Sequence, residues 1–585
     1  MEIDEVTVVA YGSQKKITIT GAVSTIGTKE LLKSPNATVA NSLVGKVTGL
    51  SSVQTSGQPG ADDPELFIRG MGTFNDSSPI YIVDGVERSM MNLDANEIEN
   101  ITVLKDASAT AVYGIRGANG VIIVTTKRGK KGETAISASV SMGMQQPTRL
   151  LEFTDSYTYA MRFNEAQTND GIGPEGLKFQ PHVVDAFRTN SDPLVYSNTD
   201  WMDYLLKDQA AQFQGNISAS GGTDKVRYFV SLGILSQDGL FNTYETDYDY
   251  NFSYKRYNYR TNVDIDVTST TQLGITLGGR VGARNEPNSG NRNRLFRDIY
   301  WSVPHSGPGI VDGQWIKANQ TYIPGEKKEG LTPFYGKGYN NELDHTINMD
   351  LDLKQDLSKF VKGLGFRAKF AYNSRYTHTK TRSSSKVHYQ PFFKAHLDPM
   401  DPLYQKYNTI PEDNTVVLRR IGQEGELGYF ESKSKARDSY FELGFNYKES
   451  LGSHNFSGLL LYNQRKAYYP NQYSDIPTGV VGMVGRVSYD YANKYLAEVN
   501  MGYNGSENFA EENRFGWFPA GSLGWVVSKE SFMENVPFIN YLKFRGSYGI
   551  VGNDKYGDSR FVYLEGPYSV NSGGYNFGTD NWTNY

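Results

Sequence analysis

Cysteine is absent from this chain of 585 residues, and no long apolar run interrupts it. The first absence excludes disulfide bonds, zinc–thiolate sites and thiol nucleophiles. The second excludes a helical membrane protein, because a membrane-spanning helix needs roughly 18 or more consecutive apolar residues. It leaves a membrane β-barrel open, since barrel strands alternate apolar and polar residues. A net charge of −5 argues against nucleic acid as a partner.

Catalytic motifs are missing as well. The seven His residues are scattered without His-Glu-x-x-His spacing, and neither a Gly-x-Ser-x-Gly elbow nor a Gly-Lys-Ser/Thr phosphate loop occurs. Asp264 with Asp266, and Asp350 with Asp352, meet the minimal requirement for a glycosidase pair. We expect them instead to be water-facing residues of a barrel wall. The sequence therefore predicts a protein that is not an enzyme and holds neither metal nor cofactor.

What the chain has in excess is glycine and aromatic residues, with 60 Gly, 41 Tyr and 29 Phe. After residue 132, apolar and polar side chains alternate, which predicts strands with one apolar face. We count about 13 such strands. The clearest example sets Ile347, Met349, Leu351 and Leu353 against Asn348, Asp350, Asp352 and Lys354.

Alternation alone fits a soluble sandwich as well as a barrel. Strands of 10 residues or more favour the barrel, as do aromatic residues near strand ends, such as Phe252, Tyr254, Tyr257 and Tyr495. Polar intervals at residues 285–341 and 377–435 predict extracellular loops. In them, Trp301, Trp315 and Tyr322 are equally suited to substrate contact and to loop packing.

The N-terminal segment contains Val6, Thr7, Val8, Val9 and Ala10 behind three acidic residues. This pattern predicts either a first sheet strand or a flexible strand that pairs with an edge on a partner.

Residues 17–132 combine short helices and strands and predict a small α+β domain. Asp84-Gly85 predicts a hairpin turn. The stretch 106–127, which we call the wedge, predicts a helix from Asp106 through Tyr113, a left-handed Gly114, a turn over Gly117 to Gly120 and a strand from Val121 to Thr126.

The chain resembles SusC-like (SusC/RagA) TonB-dependent outer-membrane transporters over nearly its whole length. The similarity is densest at residues 5–12, at Phe67-Ile-Arg-Gly70 with Tyr81-Ile-Val-Asp-Gly85, and in the wedge; it returns at residues 198–201, 218–223, 493–504 and 546–553. The plug-motif residues on this basis are Arg69, Gly70, Asp84, Gly85, Asp106, Tyr113, Gly114, Arg116, Gly117, Asn119 and Gly120.

The resemblance implies a mainly β protein of the bacterial outer membrane, in which an α+β plug domain closes an antiparallel barrel of 22 strands. It divides the chain into a TonB-box segment (1–16), the plug (17–132) and a partial barrel with long loops (133–585). It further implies that TonB, with ExbB and ExbD, binds residues 6–10, and that a SusD-like surface lipoprotein covers the extracellular mouth.

The implied function is energy-coupled import of oligosaccharides, with peptides as the alternative cargo. A non-transporting receptor or adhesin is less expected, because an anchor needs neither plug nor TonB box. About 13 strands cannot close a barrel of the family's size. We therefore expect this chain to be the N-terminal portion of a longer protein.

Overall fold

The computed structural model describes residues 6–9, 12–15, 17–73, 76–91, 93–290, 292–323, 328–412, 415–534, 538–557 and 559–564. The elements of the first part of the chain are β1 (Val6–Val9), β2 (Gly12–Lys15), β3 (Val23–Gly27), α1 (Thr28–Leu31), α2 (Val39–Leu43), β4 (Leu50–Val53), β5 (Glu65–Ile68), β6 (Ile80–Val83), β7 (Val86–Glu87), β8 (Ile98–Leu104), α3 (Ala107–Thr110) and β9 (Val121–Thr126).

These elements build an α+β unit around a five-stranded sheet in the order β3-β8-β9-β6-β7. All neighbours are antiparallel except β6 and β9, which are parallel. Leu31 and Leu43 from the helices pack against Ile101 and Val124 of the sheet, and all four are fully buried. Burial of each such side chain stabilises the unit by about 1.5–3 kcal/mol.

The remainder of the chain is dominated by long strands. Its elements are β10 (Gly132–Gln145), α4 (Ser156–Asn169), α5 (Pro181–Thr189), α6 (Trp201–Leu205), β11 (Ala210–Gly222), β12 (Val226–Asp238), β13 (Ser253–Asp266), β14 (Thr271–Pro287), α7 (Arg292–Tyr300), β15 (Gly309–Val311), β16 (Gln314–Ile316), β17 (Gly338–Asp356), β18 (Leu364–Ser383), β19 (His388–Phe393), α8 (Pro402–Lys406), β20 (Val416–Ile421), β21 (Gly428–Leu451), β22 (His454–Tyr468), β23 (Thr478–Tyr491), β24 (Tyr495–Ser506), β25 (Phe515–Val526) and β26 (Lys543–Gly549). Short 3₁₀ turns occupy Ala95–Glu97, Ala111–Arg116, Pro174–Gly176, Lys394–His396, Glu511–Asn513, Val527–Lys529 and Ser531–Met533. In the part of the chain described, no helix has the length and apolarity needed to cross a membrane.

Thirteen strands form one antiparallel sheet in chain order, β10 to β14, β17, β18 and β21 to β26. The predicted number of strands is confirmed. Within the described residues, β10 and β26 each pair with one neighbour and not with each other, so the sheet is open.

Connections between these strands alternate in length. At one end they are short, over residues 223–225, 267–270, 357–363, 452–453 and 492–494, with 527–542 as a longer exception. At the other end lie residues 146–209, 239–252, 288–337, 384–427, 469–477 and 507–514. The predicted loops at 285–341 and 377–435 are therefore shorter than expected, because the strands continue beyond the apolar alternation. Within two of these loops, β15, β16, β19 and β20 form a separate four-stranded sheet.

The large sheet is apolar on its outside and polar on its inside. In β17, Met349 and Leu351 are 52% and 47% exposed, whereas Asp350 between them is 2% exposed. In β13, Arg260 and Asn262 are likewise buried. A soluble sandwich buries the opposite face, so the exposed apolar rows fit contact with lipid.

The aromatic residues near strand ends divide into two groups. Tyr257 and Tyr495 are each 47% exposed, as expected of an interfacial girdle. Phe252 and Tyr254 are each 5% exposed, so their predicted girdle position is wrong. Phe252 packs against Phe241 in the loop core, while Tyr254 faces the α+β unit at Gly60.

The membrane face can be tested at Leu351. Replacing it by Arg should hinder assembly by about 2–4 kcal/mol, because the charge would lie near the middle of the bilayer. Phe360→Arg is the matched control, since Phe360 is 83% exposed but lies in a short turn, where the cost falls to about 0–1 kcal/mol. Heat-modifiable migration in outer-membrane fractions measures assembly, and equal tolerance of both changes would show that β17 does not contact lipid.

Candidate functional site: the wedge inside the large sheet

The wedge begins with a capped helix, as predicted. Oδ1 of Asp106 accepts a hydrogen bond from Ala109 N at 3.0 Å, and Oδ2 accepts one from Ala22 N at 2.6 Å. The α-helix ends at Thr110, and a 3₁₀ turn continues to Arg116, so the expected single helix through Tyr113 is divided in two. The carboxylate thus joins the start of the wedge to the chain preceding β3.

Gly114 adds a second break, inside the 3₁₀ segment. Its φ of 53° and ψ of −117° lie outside both helical regions and favour glycine. A Cβ at this position would overlap the side-chain amide of Asn504 in β24. The glycine therefore allows the wedge to approach the wall of the large sheet closely. Gly120, with φ 84°, supplies the turn into β9.

Tyr113 lies at the same contact. It packs at the edge of an apolar cluster that includes Val112 of the wedge and Leu459, Leu461 and Val484 of the wall. Burial raises the pKa of the phenol above its usual range, so it stays protonated.

Asp84 and Gly85 form the predicted turn between β6 and β7, with φ values of 50° and 86° that fit a type I′ hairpin. The Asp84 carboxylate accepts hydrogen bonds from Thr126 N at 3.0 Å and Thr126 Oγ1 at 2.8 Å. Lys369 of β18 donates to the Asp84 carbonyl at 2.5 Å. Burial opposes ionisation of Asp84, but Arg128 and Arg260 hold the pKa of its carboxyl below the usual range.

Buried ion pairs attach the α+β unit to the wall. Glu97 accepts from Arg260 Nε at 2.8 Å, and both side chains are 1% exposed. Arg88 meets Asp350 at 2.5 Å, with side-chain exposures of 6% and 0%. Removing one member of such a pair leaves an uncompensated buried charge, which costs about 3–5 kcal/mol.

The carboxylates considered as a glycosidase pair are all engaged in ion pairs. Two contact the α+β unit and two contact neighbouring strands of the wall: Asp264 with Arg128 at 2.9 Å, Asp350 with Arg88 at 2.5 Å, Asp266 with Arg227 at 2.7 Å and Asp352 with Lys369 at 3.0 Å. Asp264 and Asp350 therefore hold the α+β unit to the wall, whereas Asp266 and Asp352 link neighbouring strands of the wall.

Arg116 connects the wedge to two other segments. Its guanidinium pairs with Glu87 at 2.8 Å and with Asp554 at 3.4 Å, and Arg465 of β22 contacts Glu87 from the wall at 2.9 Å. Burial disfavours the ionised form of Glu87, but the nearby charges of Arg116 and Arg465 outweigh it and lower the pKa of Glu87 to about 2. Next to Asp554, Gly552 N donates to Gly114 O at 3.1 Å, so the segment after β26 also rests on the wedge.

The other plug-motif residues lie outside this charged contact. Arg69 and Gly70, with φ values of 60° and 91°, form a turn after β5 that is exposed. Asn119 Nδ2 donates to Asp76 O at 2.7 Å and fixes the loop before β6. Gly117 is not left-handed; a Cβ there would lie 2.6 Å from Thr110 O, so close packing requires the glycine.

The N-terminal segment does not present a wholly unpaired backbone. β1 pairs with β2 in an antiparallel hairpin and lies beside β8 and β9. One edge of Val6–Val9 is therefore occupied, while Ala10 lies outside the described residues.

Among the three loop aromatics considered for substrate contact, Trp301 is 52% exposed and lies under Lys328 and Arg297. Trp315 is buried and donates to Glu329 Oε1 at 3.1 Å. The Tyr322 hydroxyl accepts from Phe393 N at 3.0 Å. Trp315 and Tyr322 therefore pack the loops.

Sequence reasoning missed the part that wall residues play in holding the α+β unit, notably Arg260, Asp350, Lys369, Arg465 and Asn504. Their signal was a charged or amide side chain at an inward position of a predicted strand. Within the described ranges, no group of three His, Asp or Glu side chains is arranged to bind a metal ion.

Comparison with known proteins agrees with this architecture. Residues 15–121 match the family model described as the TonB-dependent receptor plug domain. A TonB-dependent receptor of Formosa agariphila is 26% identical over 97% of this chain and 51% of its own length. The TonB-dependent receptor SusC of Bacteroides thetaiotaomicron is 27% identical over 96% of this chain and 54% of its own length.

The chain is similar to SusC-like TonB-dependent receptors. A structure of the RagAB peptide importer in its open-open state has the same fold, with a TM-score of 0.69 at 21% identity over 98% of this chain and 64% of that one. The chain spans about half the length of the curated relatives it matches. Because residues 15–121 match the plug-domain model, we call the α+β unit the plug.

Seating of the plug can be tested at Gly114. Gly114→Ala should destabilise the plug by about 1–3 kcal/mol, because the new Cβ meets Asn504 and the backbone conformation disfavours alanine. Gly72→Ala is the control, since nothing lies within 4 Å of a Cβ there and its φ is not positive. Thermal unfolding and protease digestion of the protein in detergent measure the effect; similar values for both variants would remove the close-approach explanation.

The Glu97–Arg260 pair predicts that the stability of the folded protein depends on pH. Burial outweighs Arg260 and raises the pKa of Glu97 from 4.5 to about 7. The folded state then binds the proton more tightly than the unfolded state, so this group's stabilisation is lost as pH rises from about 4.5 to 7. Glu97→Gln should flatten thermal stability across that window, and an unchanged slope would assign the dependence to other groups.

Proposed function

We propose that this chain forms the plug and part of the barrel of a transporter that imports a nutrient across the bacterial outer membrane with energy delivered by TonB. The observation that carries the proposal is a plug attached by buried ion pairs to a polar inner wall whose outer face is apolar. A barrel that served only as an anchor or adhesin would not require such a plug. We propose residues 1–16 as the TonB-box segment, 17–132 as the plug and 133–585 as barrel.

The mechanism follows from which contacts must break. The plug blocks the lumen while Glu97 and Arg88 pair with the wall. TonB, with ExbB and ExbD, would pull on residues 6–10 and rearrange the plug, and no covalent step is required of the chain. The β1–β2 hairpin must open, or β1 must offer the edge that does not pair with β2, for TonB to add a strand.

The cargo and the partner are proposed together. We propose an oligosaccharide or a peptide as cargo, captured between the long loops and a SusD-like surface lipoprotein. Trp301 is 52% exposed and would stack on a sugar ring once Lys328 or Arg297 leaves its ring face. Import by RagAB, a peptide importer of the same fold, supports the peptide alternative.

Coupling is tested with Val8→Pro, which removes a backbone donor and fixes φ in the proposed TonB contact. In a deletion strain, this variant should bind cargo at the surface but lose uptake, while Val8→Ala should transport almost normally. Growth on defined oligosaccharides or on defined peptides as sole nutrient identifies the cargo class. Normal transport by Val8→Pro would refute the assignment of residues 6–10.

A further inference from the structure

A free strand edge lies among the long loops. In the four-stranded loop sheet, β20 is an outer strand that pairs with β19 alone. Lys394 N donates to Thr415 O at 2.8 Å, so the antiparallel alternation directs the backbone groups of Val417 and Arg419 toward β19. The groups of Val416, Leu418 and Arg420 then point outward.

The opposite side of β19 confirms this alternation. Tyr389, which faces Arg420, uses its carbonyl to accept from Lys317 N at 2.9 Å, away from β20. Among the described residues, no backbone hydrogen bond reaches Val416, Leu418 or Arg420 from the outer side. An unpaired strand edge is a template for another extended chain.

A cavity of about 830 Å³ includes this edge. It is lined by β20, by α8 with Tyr407 and Ile410, and by Gln314 of β16 and Tyr389 of β19, so it also extends over one face of the loop sheet. The Asp401–Arg419 ion pair at 2.5 Å holds the helix to the strand, and Arg419 stacks on Phe392. The volume lies within the range of ordinary ligand sites, about 300–1,000 Å³.

The charges at the cavity favour an anionic ligand group. Lys406 and Arg420 both line it and are exposed. Within the described part of the chain, neither has a carboxylate within ion-pair distance, whereas Arg419 is already paired with Asp401. Among the described residues, then, two cations without an ion pair lie beside an outer strand edge, although Lys406 also contacts the Tyr407 ring. This arrangement suits a peptide that ends in a carboxylate.

We propose that the outer edge of β20 binds an extended peptide by adding it as a fifth strand, with the peptide's carboxylate at Lys406 and Arg420. Backbone N–H and C=O groups of Val416, Leu418 and Arg420 supply hydrogen bonds that any peptide can match. An oligosaccharide lacks this regular alternation of donors and acceptors. The inference rests on the proposed import function and deepens it by naming peptides as the cargo class.

Binding is measured by fluorescence anisotropy on the protein in detergent, with the pentapeptide Thr-Val-Thr-Val-Thr carrying fluorescein at its N-terminus. The peptide with a free carboxylate should bind about tenfold more tightly than its C-terminal amide, since charge-assisted hydrogen bonds are the stronger ones. Leu418→Pro should weaken binding about tenfold or more, because proline removes the outward donor. Leu418→Ala keeps that donor and should change affinity by less than about threefold.

Proline is tolerated where a strand N–H faces solvent, so Leu418→Pro should fold, which heat-modifiable migration checks. If Leu418→Pro fails to fold, the Arg420→Gln variant tests the proposal, because this variant should lose the preference for the free carboxylate over the amide. The proposal is overturned if the wild type does not bind the peptide, or if folded Leu418→Pro binds it as tightly as Leu418→Ala does. It is also overturned if Arg420→Gln keeps the preference for the free carboxylate. Displacement of the peptide by maltopentaose at comparable concentration would overturn it as well. Displacement of the peptide by a purified SusD-like lipoprotein that still binds folded Leu418→Pro would also overturn it. Peptide binding with these variant effects but without uptake in cells would refute the import function and leave the β20 site standing.

Discussion

The structure depends on charge buried between the plug and the inner wall of the large sheet. Glu97 with Arg260 and Arg88 with Asp350 lie where water hardly reaches, and each partner comes from a different unit. Such pairs are costly to desolvate and costlier to break singly, so they fix position more than they add stability. The inner face of the wall is polar because it must pair with the charges of the plug, as well as because the lumen contains water.

The same contacts explain how one chain can be both stable and movable. An apolar plug–wall interface would hold by area alone, whereas ion pairs and backbone hydrogen bonds can be exchanged for water once the plug shifts. Apolar contact between plug and wall is divided among four small clusters, which contain Leu461, Leu496, Tyr254 and Tyr440 of the wall. Close backbone approach at Gly114 completes the fit.

The loops form a second structured layer at the other end of the wall. Trp315 and Tyr322 lie within that layer, whereas Trp301 and the β20 edge are among its outward features. A ring that stacks and a strand that pairs suit different ligands, so the two features give the loops separate ways to bind cargo. The Asp401–Arg419 pair couples α8 to that strand.

The sequence by itself determined the strand number, the outward and inward rows of the wall, the hairpin at Asp84-Gly85 and the cap at Asp106, because these depend on period-two alternation and on local turn and cap chemistry. It could not pair Arg260 with Glu97 or Asp350 with Arg88, since more than a hundred residues separate them and many inward charges were available. It also placed Tyr254 on the wrong face and missed the β20 edge. Which inward charge meets the plug, and which strand edge stays unpaired, is decided only when separate elements come together in space.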